Sequence, residues 1–263
     1  MCQTDDIKLA VFELYRAFAH YKGVPDDDFC DHCIADEQQA NLYSKPLEEL
    51  AVDDLAMYAF KAMSTWGGVN QFKHFLPRLF ELLAFDKDAD RLWPEVLISK
   101  LDHAKWGQWP DNENAQVRSY LKALWQYALT EYPYPVEISE LLWGIARAGV
   151  DVREYLELWR NLDTITAVRH LAEFVELAHM TKKNNGHLSQ GMLSADAQGT
   201  IERWLLSPET REKLESAFFA NSEREEAASE LSQAVQYLSW WTSTPGIESS
   251  NQTLQPDADK PRR

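Results

Sequence analysis

Val117-Arg118-Ser119-Tyr120-Leu121-Lys122-Ala123-Leu124-Trp125-Gln126-Tyr127-Ala128 sets apolar residues at 117, 120, 121, 124, 125 and 128. Steps of three and four residues put them on one stripe of a helix, whereas a half-buried strand would alternate at every second residue. Working outward, the same period recurs almost everywhere. Upstream it appears in Phe72, Phe75, Leu76, Leu79, Phe80 and Leu83, and in Ile7, Ala10, Val11, Leu14, Tyr15 and Phe18, with Thr4 or Asp5 as a cap for the latter. Val52 to Trp66 reads as a helix with Asp53 and Asp54 in its first turn and Gly67-Gly68 as its stop; Leu92 to Trp106 reads as another, with Pro94 near its start. Pro77 requires either a kink or a new helix start within its stripe.

Downstream, Tyr132-Pro133-Tyr134-Pro135 ends the quoted helix, because each proline disfavours helical geometry in the residue before it. Further helices are expected over Ile138 to Ala148, Arg153 to Leu162, Ile165 to Met180, Thr200 to Leu206, Pro208 to Ala220 and Arg224 to Trp241. The fold class is therefore all-α with about eleven helices, and a short further helix can start near Ala35. Trp66-Gly67, Trp106-Gly107 and Trp143-Gly144 recur at 40 and 37 residues, near the length of HEAT-like and armadillo-like helix pairs. Two architectures stay open: stacked helix pairs, or a compact helical domain in which Gly after a large residue merely ends helices. Residues 1–180 are expected to form one helical domain with an N-terminal CxxC loop, and 192–242 to supply C-terminal helices on the same body. The polar stretch Thr181 to Gly191 reads as a mobile loop, and 243–263 as a disordered tail without apolar periodicity.

The 263 residues include 10 Gly and 11 Pro, too few turn formers for many-stranded sandwiches, barrels or Gly-rich phosphate loops. Lys and Arg number 26 against 42 Asp and Glu, giving a formal charge of -16. The imbalance is steepest in residues 1–60, which hold 4 basic and 13 acidic side chains. Such a chain is not expected to bind nucleic acid through a basic surface, since that mode needs clustered cations to release counterions. It suits a basic protein partner, whose encounter rate opposite charge raises, and equally suits plain solubility. No apolar run approaches a membrane span and the start lacks a secretory signal, so the expected location is cytoplasmic, without membrane contact. Cysteines at 2, 30 and 33 agree with a reducing compartment.

Cys30-Asp31-His32-Cys33 is the sharpest chemical motif. A two-residue gap lets both thiolates reach one tetrahedral ion, so a single zinc held by Cys30, Cys33, His32 and His74 is one reading. A thiol pair beside a histidine near a helix start can also form a reversible disulfide. The third reading is two small apolar groups in a loop, with no cofactor at all. Partner-contact candidates are Asp26, Asp27 and Asp28 in the acidic loop, and the indoles of Trp106 and Trp109 around a turn, which equally well fill gaps between helices. His74 and Arg78 would share a helix face, as an anion or partner contact or as an interhelical corner in which His74 caps a carbonyl and Arg78 pairs with a carboxylate. No nucleophile elbow, Gly-rich phosphate loop, paired-histidine metalloprotease motif or dinucleotide fingerprint occurs, although dispersed carboxylates leave an acid–base pair open.

Cys30-x-x-Cys33, Lys45-Pro46-Leu47-Glu48-Glu49-Leu50, Tyr58-Ala59-Phe60-Lys61-Ala62, Thr65-Trp66-Gly67 and His74-Phe75-Leu76-Pro77-Arg78 stand in succession, followed by Trp106-x-x-Trp109-Pro110 and Leu124-Trp125. On these motifs the first half of the chain resembles an uncharacterised family of bacterial cytoplasmic proteins. The resemblance implies a helical fold and a bacterial cytoplasmic setting, and transfers no catalytic residue. The functional expectation is a non-enzymatic, acidic, helical protein–protein interaction module, with an immunity or antitoxin role as its specific version. The alternative is a zinc-binding or redox-responsive protein centred on Cys30 and Cys33.

Overall fold

The structure is a computed structural model that describes residues 3–23, 34–185 and 193–243. Among these the chain forms twelve α-helices: α1 Gln3–Phe18, α2 Asp36–Leu42, α3 Val52–Lys61, α4 Val69–Phe85, α5 Pro94–His103, α6 Asp111–Thr130, α7 Ile138–Arg147, α8 Val152–Arg160, α9 Ile165–Asn185, α10 Ala195–Leu205, α11 Pro208–Ala220 and α12 Glu225–Ser243. Short 3-10 turns lie at Leu47–Glu49, Ala89–Leu92 and Trp106–Gln108, and no β-strand occurs among the described residues. The fold is all-α and compact.

The helix starts follow from local chemistry. Ser194, Ser207 and Asp151 accept hydrogen bonds from the otherwise orphaned backbone N–H groups of Ala197, Thr210 and Arg153. Asp54, three residues into α3, reaches back to the N–H of Ala51 at 2.8 Å and takes Lys45 Nζ at 2.5 Å. Burial alone would raise its pKa, but those two hydrogen bonds outweigh it and hold the carboxyl below its ordinary value. Pro94 and Pro208 open α5 and α11, where a missing N–H costs nothing.

The stripes read from the sequence point inward. Phe72, Phe75, Leu76, Leu79, Phe80 and Leu83 of α4 are fully buried, and so are Val117, Tyr120, Leu121, Leu124, Trp125 and Ala128 of α6. Against them α1 lies along α6 and touches α4; α5 pairs with α7; α9 and α11 both pack on α12. One connected core runs from Ile7 to Trp241. Three buried indoles have their N–H groups satisfied by backbone carbonyls: Trp106 bonds Ala148 O, Trp125 bonds Tyr155 O and Trp159 bonds Ala167 O, each at 2.8 Å. Truncating such a ring to Ala typically costs about 3–5 kcal/mol.

Several boundaries differ from the sequence reading. α3 stops at Lys61 instead of Trp66, because Met63 adopts φ 60 and its N–H turns back to Trp66 O. α5 ends at His103, and Lys105 at φ 52 starts a separate turn. α4 runs unbroken through Pro77, which is buried. α9 continues to Asn185, five residues into the stretch read as a loop, while 186–192 and the tail from 244 onward lie outside the described residues. The three Trp-Gly pairs occupy unlike settings: Gly67 sits in a turn at φ +65, Gly107 lies in a 3-10 turn with open space around it, and Gly144 lies within α7 against α5. Their spacing therefore reflects no repeated unit.

Candidate functional site

Cys30, His32 and Cys33, with Asp26, Asp27 and Asp28, lie outside the described residues. Of the predicted metal set only His74 is placed. On α4 it directs Nδ1 at the carbonyl of Tyr21, 3.1 Å away, so that nitrogen carries the proton. Burial lowers its pKa, partly countered by the Tyr21 carbonyl and by Glu48. Gly23 packs on the same ring, since a Cβ there would meet Nε2 at 2.3 Å. Arg78, one turn on, donates to Leu50 O at 2.7 Å and to Glu81 Oε2 at 2.7 Å. Both residues thus tie neighbouring segments to α4, as an interhelical corner would. Among the described residues no group of three or more His, Cys, Asp or Glu could hold a metal ion.

Trp106 and Trp109, the predicted partner anchors, are placed in the core at 4% and 8% exposure. Trp109 donates Nε1 to Ala104 O at 3.0 Å and meets the edge of Phe18. Each indole is also covered by a cation of the chain itself: Arg118 lies 4.7 Å over Trp106, and Lys73 lies 4.3 Å over Trp109. Lys73 is the centre of a buried node. Its Nζ bonds Glu113 Oε2 at 2.6 Å and Tyr21 Oη at 2.9 Å, while Tyr21 Oη donates to Glu113 Oε1 at 2.9 Å. Every strong polar group there has a partner within the chain, which is what low dielectric demands of a buried ion pair.

A different arrangement lies where α3 meets the 3-10 turn before α5. α3 buries Val52, Leu55, Tyr58 and Ala59. Helical geometry sends Asp53, Met57 and Phe60 to the opposite side, and Met57 and Phe60 are 44% and 46% exposed. Trp93 closes on Phe60, its ring 5.3 Å away, and remains 54% exposed. Its backbone sits at φ 55, ψ 66, a left-handed conformation that costs a bulky residue strain. Pro94 follows directly and begins α5, so Trp93 is turned outward at the helix N-cap.

Carboxylates gather around the start of α5. Asp90 and Glu95 stand three residues before and two after Trp93, and with Glu137 they act on Glu140 of α7. Burial first, then Glu137, Glu95 and Asp90, push the Glu140 carboxyl up to about 7. The nearby cations are already engaged: Arg91 with Asp53 at 2.6 Å and Arg147 with Glu95 at 2.8 Å. Sequence reasoning passed over Met57, Phe60 and Trp93. A signal was available, because Met57 and Phe60 fall off the α3 stripe, whereas nothing in the sequence tells which way Trp93 faces.

Grooves elsewhere are shaped by internal pairing. One of about 450 Å³ runs past Asp163 and Lys213, whose Nζ binds the carbonyls of Arg160 and Leu162. Another of about 440 Å³ passes Arg169, which forks onto Glu230 and lies 4.1 Å over Tyr132. No helix among the described residues is long and apolar enough to cross a membrane. No protein-family model, curated protein or solved structure matches this chain.

Proposed function

We propose that this protein is an acidic, all-helical protein-binding module that captures a basic protein partner by surface contact. One observation carries the reading: carboxylates outnumber cations 42 to 26, and several of those cations are drawn into pairs in or near the core. Lys73 is bound by Glu113, Arg78 by Glu81, Arg147 by Glu95, Lys213 by Asp163, and Arg169 by both Glu226 and Glu230. With a formal charge of -16, the field outside is negative, and such a field speeds encounter with a cationic surface. The specific version is neutralisation of a basic toxin, where fast capture is the useful property.

Affinity capture with the purified chain at low and high ionic strength tests the reading, beside a helical control protein of equal charge. A defined basic protein is expected on this chain and not on the control, released as salt rises. Retention of the same proteins by both would reduce the reading to bulk charge and overturn it.

The second reading, zinc or redox chemistry at Cys30 and Cys33, draws on His74. A neutral imidazole whose Nδ1 is fixed by a carbonyl resembles the way metal-bound histidines are oriented. Elemental analysis of the purified chain and of Cys30→Ser decides the metal version: stoichiometric zinc lost in the variant supports it, and metal-free folded protein ends it. Thiol titration under mild oxidant decides the redox version, since an unreactive pair cannot switch.

A further inference from the structure

We propose that the exposed face of Met57, Phe60 and Trp93 docks an arginine- or lysine-presenting segment of the basic partner, seated on the Trp93 ring and against the carboxylates of Asp90, Glu137 and Glu140. The inference rests on the protein-binding reading above and names its site and the chemistry of its occupant.

Three features of the face converge on a cation. First, the exposed Phe60 of α3 pairs with the exposed Trp93, and Met57, also exposed, lies one turn before Phe60 on the same side of the helix. Second, several aromatic rings carry a cation supplied by the chain: Arg118 over the buried Trp106, Arg169 over Tyr132, and Arg16 over the exposed Phe12 at 5.8 Å. Among the described residues Trp93 has none; its ring contact is Phe60. Third, the neighbouring carboxylates outnumber the available cations, with Arg91 and Arg147 occupied by Asp53 and Glu95. Glu140, half-buried among three other carboxylates, lacks a cationic partner among the described residues.

A guanidinium fits this set best, because it stacks on an indole and still directs N–H donors at carboxylates in its plane. Aromatic anchors with Arg are also the usual centres of binding energy in interfaces. A second copy of this chain is a poor occupant, since two bodies of charge -16 repel and each would bring carboxylates to carboxylates.

The test uses the full chain and a fluorescein-labelled peptide of alternating Arg and Gly, with a Gln-Gly peptide as the neutral probe, read by anisotropy at low salt. The Arg-Gly peptide is expected to bind and the Gln-Gly peptide not to. Trp93→Gly, which removes the ring and suits the left-handed backbone, and Phe60→Ala are each expected to weaken binding about tenfold, equivalent to about 1.4 kcal/mol. Glu140→Gln should weaken it severalfold, and Glu223→Gln with Glu225→Gln, at the start of α12, by less than twofold. Circular dichroism confirms that each variant is folded.

If the wild type binds and the Trp93 and Phe60 variants bind equally well, the site is wrong while the acidic-module reading stands. If the wild type ignores the Arg-Gly peptide, or takes the Gln-Gly peptide as readily, both fall. A dimer of the wild type that Trp93→Gly dissolves would assign the face to a second copy. A tenfold gain on replacing Lys260, Arg262 and Arg263 by Ala would assign it to the chain's own end. Either result overturns the proposal.

Discussion

Two tryptophan corners of this protein are built from the same chemical parts and end in opposite states. At Trp109 the indole is buried, its N–H is satisfied, Lys73 covers its face and Glu113 neutralises Lys73. At Trp93 the indole is exposed, Phe60 lies beside it, and the carboxylates around Glu140 lack a matching set of cations. The first corner has supplied its own cation and closed; the second presents aromatic and acidic groups to the outside. A buried ion pair contributes little net stability but is expensive to break, whereas an exposed, uncompensated corner contributes little to folding and is available for contact.

Substitutions at the two corners should separate these roles, and the largest effect belongs to the closed one. Lys73→Met leaves Glu113 buried without its cation and should cost about 3–5 kcal/mol in urea unfolding. A loss under about 1 kcal/mol would mean that water reaches the node and that it is not closed. Next comes Gly144→Ala. Its Cβ would fall 2.9 Å from Ile98 Cβ and 3.2 Å from Glu95 Cα, so α7 must shift from α5, where Glu95 and Glu140 face one another. Overpacking of this kind costs about 1–3 kcal/mol, measured as a lowered urea midpoint at constant slope.

Glu140 gives a smaller effect with a definite sign. Its carboxyl is raised from 4.5 to about 7 in the folded chain, chiefly by burial and then by Glu137, Glu95 and Asp90. Between those values the native state holds a proton that the unfolded state has lost, so this group's stability contribution is full below about 4.5 and falls as pH rises through 7. Glu140→Gln should remove that loss, leaving the variant more stable than the wild type at pH 8 by order of 1 kcal/mol, once solvent screening at this half-buried site is discounted, and little changed at pH 4.5. Parallel stability curves for the two proteins across that range would contradict it. The smallest change is expected from Trp93→Gly: relief of about 1 kcal/mol of left-handed strain offsets loss of a ring contact of similar size. Its Tm should therefore stay within a few degrees of the wild type. A large drop would make Trp93 a structural residue.

Much of the fold was legible because burial writes its period directly into the chain. The stripes of α4 and α6 became the core as read, and so did that of α1 apart from the partly buried Tyr15. Helix ends were less legible, since Met63, Trp93 and Lys105 take left-handed φ although none is Gly, and only tertiary packing selects such conformations. The site was harder still. Trp106, Trp109 and Trp93 look alike in sequence, and what distinguishes them is whether a distant residue, Arg118 or Lys73, arrives over the ring. Lys73 lies 36 positions before Trp109 and Glu113 a further four beyond it, so no local pattern reveals their meeting.

The central claim, that contact with a basic partner occurs at Trp93 and leaves the closed corner untouched, can be read from one spectrum. The chain has 10 tryptophans, so labelling with 5-fluorotryptophan gives one fluorine resonance for each, with Trp93 assigned through Trp93→Phe. On titration with the Arg-Gly peptide, the Trp93 resonance should move saturably while those of Trp106 and Trp109 stay fixed. Movement of Trp106 or Trp109 with Trp93 unmoved would contradict the account.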